Sequence, residues 1–222
     1  MLTITRRQML GGATMAGFVP LTMSGAAAAP QPELNLQFIL HAVFFSAESH
    51  QAKPLDPHVF VKDAPAPDAV GPQNIRHIAG FRPAFVAGPL DVEVFNAEGK
   101  SLGFSLADWF AAKGSVDIAP SGTGARIDCR FTQLRPNGVY SLFENHFDQT
   151  PVGFTPSNGT GRTNSFTADT NGSAAISLLS PQPLTHDTSV LLVNRSDNES
   201  HGEQRGQIGV TAHHQIIVRV PA

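Results

Sequence analysis

Apolar and polar positions along this chain alternate in short runs, and turn residues separate the runs. Residues 36–45 are almost continuously apolar, which predicts a strand buried on both faces. Residues 58–61 predict a short strand, and the Pro-rich stretch 64–72 predicts a loop. In residues 90–95, Leu90, Val92 and Val94 share one face. Strands are also predicted over 115–119, 125–134, 138–147, 189–193 and 213–220. Asn171-Gly172 links 165–170 to 173–178 and predicts a hairpin, because Asn-Gly accepts the two positive φ angles of a type I′ turn.

One segment carries a helical pattern, 105–113. Ser105 can cap the first free amides, with Asp108 three residues on. Gly114 offers a left-handed stop. Leu106, Trp109 and Phe110 fall at i, i+3 and i+4, so the single Trp belongs to a packed face. Many short strands with frequent turns and one short helix predict a mainly β chain. Its expected architecture is an antiparallel, Greek-key-like β-sandwich with a helix around 105–113.

The spacing Leu134-Arg135-Pro136 to Tyr140 resembles the tyrosine corner of fibronectin-type and other Greek-key sandwiches. The resemblance implies a structural role for Tyr140, whose hydroxyl would bond back to the backbone. It implies nothing about activity.

Twenty glycines and seventeen prolines fit many turns rather than long helices. The one cysteine, Cys129, alternates with Ile127 and Phe131, which predicts a buried apolar side chain. With no second cysteine, the domain cannot be held by an internal disulfide.

The first residues differ in kind. Arg6 and Arg7 precede an uncharged, Gly-containing apolar stretch that ends in small residues before Pro30. That order makes a signal peptide over 1–28, cleaved after Ala28. Its twin arginine resembles the leaders read by the bacterial twin-arginine translocase, with Met9 where Phe is commoner. The resemblance implies passage through that translocase and a periplasmic or secreted bacterial protein. The apolar stretch is shorter than the roughly 20 residues a spanning helix needs, and no later run approaches that length. Residues 29–222 are expected to form a single β-sandwich domain. The net charge is −3, and loss of the leader arginines makes it more negative. Nucleic acid is therefore not an expected partner.

The common catalytic motifs are missing: no Gly-x-Ser-x-Gly elbow, no phosphate loop, no His-Glu-x-x-His and no Cys-x-x-Cys. The glycine-rich turn 155–162 reads as a flexible loop. These absences favour a non-catalytic exported protein, without a cofactor, that binds a small ligand, a glycan or an envelope partner.

The histidines supply the alternative, a zinc- or copper-binding redox or hydrolytic protein. His146, His201, His213 and His214, with Asp197, are the candidate ligands. Strand periodicity places His214 on the face of Ile216 and Val218, with His213 opposite. It places His146 on the face of Tyr140 and Leu142, so that His146 and His214 can approach at one end of the sandwich. The run 138–146 resembles the Gly-then-strand setting of copper–zinc superoxide dismutases. It keeps one His and lacks both the alternating set and the disulfide, so that activity does not carry over. Glu144 beside His146 is an acid–base candidate. Asp197, Asn198 and Glu199 are a candidate calcium loop.

Overall fold

The computed structural model describes residues 33–222. The predicted leader, with Arg6, Arg7 and Ala28, lies outside the described residues. The chain begins with β1 (Leu34–Gln37), β2 (Ile39–Leu40) and α1 (His41–Glu48). β3 (Leu55–Lys62), β4 (Ala69–Val70), β5 (Arg76–His77) and β6 (Phe81–Phe85) follow. Next come β7 (Glu93–Phe95), β8 (Ser101–Ser105) and α2 (Leu106–Ala111). The remaining strands are β9 (Lys113–Ser121), β10 (Gly124–Thr132), β11 (Val139–His146), β12 (Gly153–Pro156) and β13 (Ser165–Thr167). β14 (Ala174–Ser180), β15 (Thr188–Arg195) and β16 (Ala212–Arg219) complete the set.

The fold is mainly β, and the named strands pair antiparallel. One sheet has the order β1-β9-β10-β14 and a second the order β12-β11-β15-β16-β2. Between them lies the main core, including Ile127, Cys129, Phe131, Tyr140, Leu142, Val190, Leu192 and Ile216. β10 alternates buried and outward residues, as one face on the core requires. β15 instead is buried almost throughout, because its sheet is covered on both faces. Its second face carries Phe143, Leu191, Val193 and Ile217, packed by Phe44, Phe147 and Phe154. A third sheet, β6-β3-β7-β8, packs with α2 around Val59, Val94, Leu106 and Trp109.

α2 starts at a capping box, with Ser105 and Asp108 satisfying each other's free amides. Trp109 is fully buried, and Cys129 is buried as its alternation predicts. The Tyr140 hydroxyl accepts a hydrogen bond from the Arg135 amide at 2.9 Å.

Four local expectations need correction. Residues 41–48 are helix, not the second half of a strand. A short apolar run carries no period that separates the two, and here Ala42 and Ser46 turn to one buried face. Only Glu93–Phe95 of the 90–95 run is strand. The carbonyls of Leu90 and Val92 instead accept the first amides of α2, from Ala107 and Leu106. Gly114 is a residue of β9, not a helix stop. The Phe131 and Phe38 rings fill the space a side chain would need there.

The fourth correction concerns Asn171-Gly172. β13 pairs with β11, and β14 pairs with β10, so the two strands belong to different sheets. The turn is a corner that carries the chain across the sandwich. Only Gly172 has a positive φ, +72°, so the turn is not type I′.

Candidate metal centre

Three histidines from three elements meet beside the second face of the large sheet. His41 opens α1, His58 lies in β3 and His214 lies in β16. One ring nitrogen from each can be chosen so that all lie within 4.8 Å of one another. The His58 and His214 rings meet edge-on, with centroids 4.1 Å apart. His41 stacks on His58 at 5.0 Å. His41 Nε2 and His214 Nδ1 are 3.4 Å apart.

Two backbone irregularities bring them there. β16 carries a bulge, since Leu192 pairs with Ile216 but Val193 pairs with His214. Gln215 is the extra residue, and its side-chain amide donates to the Trp109 carbonyl at 2.9 Å. A bulge shifts side-chain parity by one. His214 therefore leaves the Ile216 face and joins that of Ile217 and Ala212. In β3 the register with β6 shifts between Asp56 and Phe60. The Asp56 carboxylate accepts the His58 amide at 2.8 Å and the Trp109 indole N–H at 2.9 Å. Burial raises the Asp56 pKa to about 6, partly offset by these bonds.

The imidazoles are neutral. Burial, reinforced by the positive charge of Arg205, lowers the His41 pKa to about 3. His58 and His214 are lowered well below the ordinary range, by burial first and then by the crowding of neighbouring imidazoles and Arg205, which disfavours a second positive charge. Neutral imidazoles keep the lone pairs that a metal needs.

His58 is oriented from both sides. Its Nδ1 accepts the His214 amide at 2.9 Å, so its proton sits on Nε2 and is donated to Gln73 Oε1 at 2.6 Å. An N–H bonded to an amide oxygen is the outer contact that orients a ligating histidine. A metal at Nδ1 would replace the His214 amide there. His41 Nδ1 and His214 Nε2 are buried and have no hydrogen-bond partner. Each such orphan costs about 1–3 kcal/mol. A tetrahedral zinc with bonds of about 2.1 Å needs donor nitrogens about 3.4 Å apart. Ring movements on the order of 1 Å would close the present spacing to that value.

The cluster borders a pocket of about 530 Å³. Phe44, Phe147, Phe154 and Ile208 line it, together with Gln73, Asn145 and Arg205.

Of the residues singled out in the sequence, only His214 is in this cluster. His213 points away, donating from Nδ1 to the His58 carbonyl at 2.8 Å. His146 lies against Thr155 Oγ1 at 2.7 Å. His201 pairs with Asp197 of its own loop at 2.8 Å. The Asp197 carboxylate also accepts the Glu199 amide, so both of its oxygens serve the loop. His146 and His214 do not converge: the antiparallel register sets His214 beside Val193 and Ser141, at the other end of β11 from His146 and Thr188, and the bulge also turns His214 to the opposite face. His41 and His58 were missed. The signal at His41 was a polar residue inside an otherwise apolar run, which must be partnered or functional when buried, whereas His58 only opens the apolar run 59–61.

Glu144 is buried with one oxygen unpartnered, and it faces the Ser180 hydroxyl rather than His146. Burial raises its pKa from 4.5 to about 7. The folded state thus holds the proton more tightly than the unfolded chain. Stability falls as pH rises from 4.5 through 7 and levels off above. By pH 8.5 ionisation costs the fold about 3 kcal/mol. Relative to wild type, Glu144→Gln should gain about 2–3 kcal/mol between pH 5 and pH 8.5 in urea melts. A difference that does not change with pH contradicts this.

Comparison with known proteins adds no relative: the chain matches no family model, no curated protein and no solved structure.

Proposed function

We propose that this protein binds one zinc or copper ion through His41, His58 and His214, with a coordination position open to the adjoining pocket. One observation carries the reading: three buried, neutral imidazoles from three elements each bring a ring nitrogen within 4.8 Å of the others. Imidazole ligands suit both metals. The free thiol, Cys129, belongs to the separate core between the two larger sheets and is not a ligand. Three histidines with a vacant position resemble catalytic rather than structural zinc sites. Such an ion would polarise a bound ligand or activate water if zinc, and could exchange electrons if copper. The reading extends to an exported protein of the periplasm or the medium. The twin-arginine route implied by residues 1–28 carries folded proteins and suits those loaded with metal beforehand.

Elemental analysis of protein purified without chelators tests the centre. Wild type should carry close to one zinc or copper per chain, and adding the metal to stripped protein should raise its melting temperature by several degrees. His41→Ala and His214→Ala should each cut occupancy at least tenfold and abolish the thermal shift. His146→Ala and His201→Ala should leave both unchanged. Stripped, folded wild type that neither takes up metal nor shifts on metal addition would end this reading.

A further inference from the structure

Arg205 is a half-buried cation lining the same pocket. Among the described residues, no carboxylate pairs with it. Its guanidinium lies 3.6 Å from the centre of the Phe154 ring, and Phe154 is itself 5.7 Å from the His214 ring. The position is fixed from behind. Arg195, fully buried, donates to the carbonyls of Arg205 and Gln204 and to Ser141 Oγ. Gly206 follows with φ +85°, and a side chain there would meet the Arg195 guanidinium at 2.9 Å. A second guanidinium thus holds the Arg205 backbone, while the Arg205 side chain stays available to the pocket.

The other charge on the pocket wall is Glu48, and it is already engaged with Arg219 at 3.8 Å. The remaining wall is mainly apolar, with Phe44, Phe45, Phe147, Phe154, Val152 and Ile208. The pocket therefore combines one unneutralised guanidinium with apolar rings. An Arg fork matches a carboxylate in geometry as well as charge, and a largely apolar pocket of this size holds a small organic molecule.

We infer that the pocket binds a small organic anion, its carboxylate on Arg205 and its apolar body against Phe44, Phe147 and Phe154. The site shares the pocket with the proposed metal centre but rests on Arg205 rather than on the histidines, so metal-free protein tests it alone.

The probe is 2-naphthoate, titrated calorimetrically into chelator-stripped full-length chain. 2-Naphthamide serves as its neutral counterpart and inorganic phosphate as an anion without an apolar body. Naphthoate should bind at least tenfold tighter than either. Arg205→Gln should weaken naphthoate at least tenfold and leave naphthamide unchanged, while Arg205→Lys should fall between. Because the Arg205 side chain packs mainly on one ring, both variants should melt within a few degrees of wild type, and Phe154→Leu provides a second variant with reduced naphthoate affinity. Equal binding of naphthoate and naphthamide, or no effect of Arg205→Gln, overturns the inference. Phosphate binding as tightly as naphthoate overturns it too, since the apolar wall would then contribute nothing. Naphthoate binding to stripped protein that never takes up zinc or copper would uphold this inference while ending the metal reading.

Discussion

Trp109→Ala is expected to lose about 4–8 kcal/mol, read as a large fall in the urea midpoint. The side chain is fully buried, with Phe104 at 5.6 Å and the His213 ring at 6.3 Å both set edge-on to it. Truncating a buried Trp costs about 3–5 kcal/mol through lost burial and the cavity left behind. The indole N–H is also the side-chain donor to Asp56, and orphaning a buried acceptor adds about 1–3 kcal/mol. Against a typical total of about 5–15 kcal/mol, that is roughly half of the stability. Trp109→Phe separates the two effects. It keeps most of the volume, so its loss should be nearer 1–3 kcal/mol. A loss below about 2 kcal/mol for Trp109→Ala would show that this core collapses around the gap, which its packing against β3 and β8 argues against.

The same residue links stability to the site. Asp56 holds both the indole and the His58 amide, and Gln215 holds the Trp109 carbonyl from the bulge beside His214. Two of the three proposed ligands are thus positioned from one tryptophan. Metal occupancy should fall in Trp109→Ala under conditions where the chain remains folded.

Gly172→Ala is expected to cost about 3 kcal/mol or more, whereas Asn171→Ala should stay within about 0.5 kcal/mol. In an ordinary Asn-Gly hairpin the glycine change would cost about 1 kcal/mol, for the positive φ alone. Here an added Cβ at Gly172 would sit 2.2 Å from the Leu134 carbonyl oxygen. That oxygen is backbone and cannot swing aside, so the corner itself must shift. Asn171 is exposed and has no positive φ. Thermal melts of the two variants distinguish a sheet-crossing corner from a hairpin, and equal losses would favour the hairpin.

The contrast between these two sites explains what was legible in the sequence. Where one face of a strand meets a core and the other meets water, burial is written into the alternation of neighbours. Ile127, Cys129 and Phe131 of β10 are such a case. The start of α2 was equally local, because Ser105 and Asp108 satisfy each other's amides within one turn. Residues 36–45 were not legible, because a run apolar on all sides has no period to read. The hairpin reading failed for another reason. Asn-Gly specifies a tight turn but not which sheet each arm joins.

The site was the least legible part. His41, His58 and His214 are far apart in sequence, and no spacing rule links them. His214 was picked out, but on the wrong face, because period-two counting cannot anticipate the extra residue Gln215. His146, His201, His213 and Asp197 have chemistry suited to a metal, yet each is engaged elsewhere. Arg205 gave no signal, since a single Arg in a polar loop is ordinary.

By itself the sequence determined a mainly β chain, the capped helix near 105, a buried Cys129 and a packed Trp109, because each follows from contacts or alternation within a few residues. Tertiary structure alone decided that α1 closes over the sheet, that the chain crosses between sheets at Gly172, and that three histidines and an unpaired arginine share one pocket. Those outcomes depend on a bulge, on an Asx bond at His58 and on the docking of three sheets. Each is a long-range balance of packing and hydrogen bonding that no local pattern records.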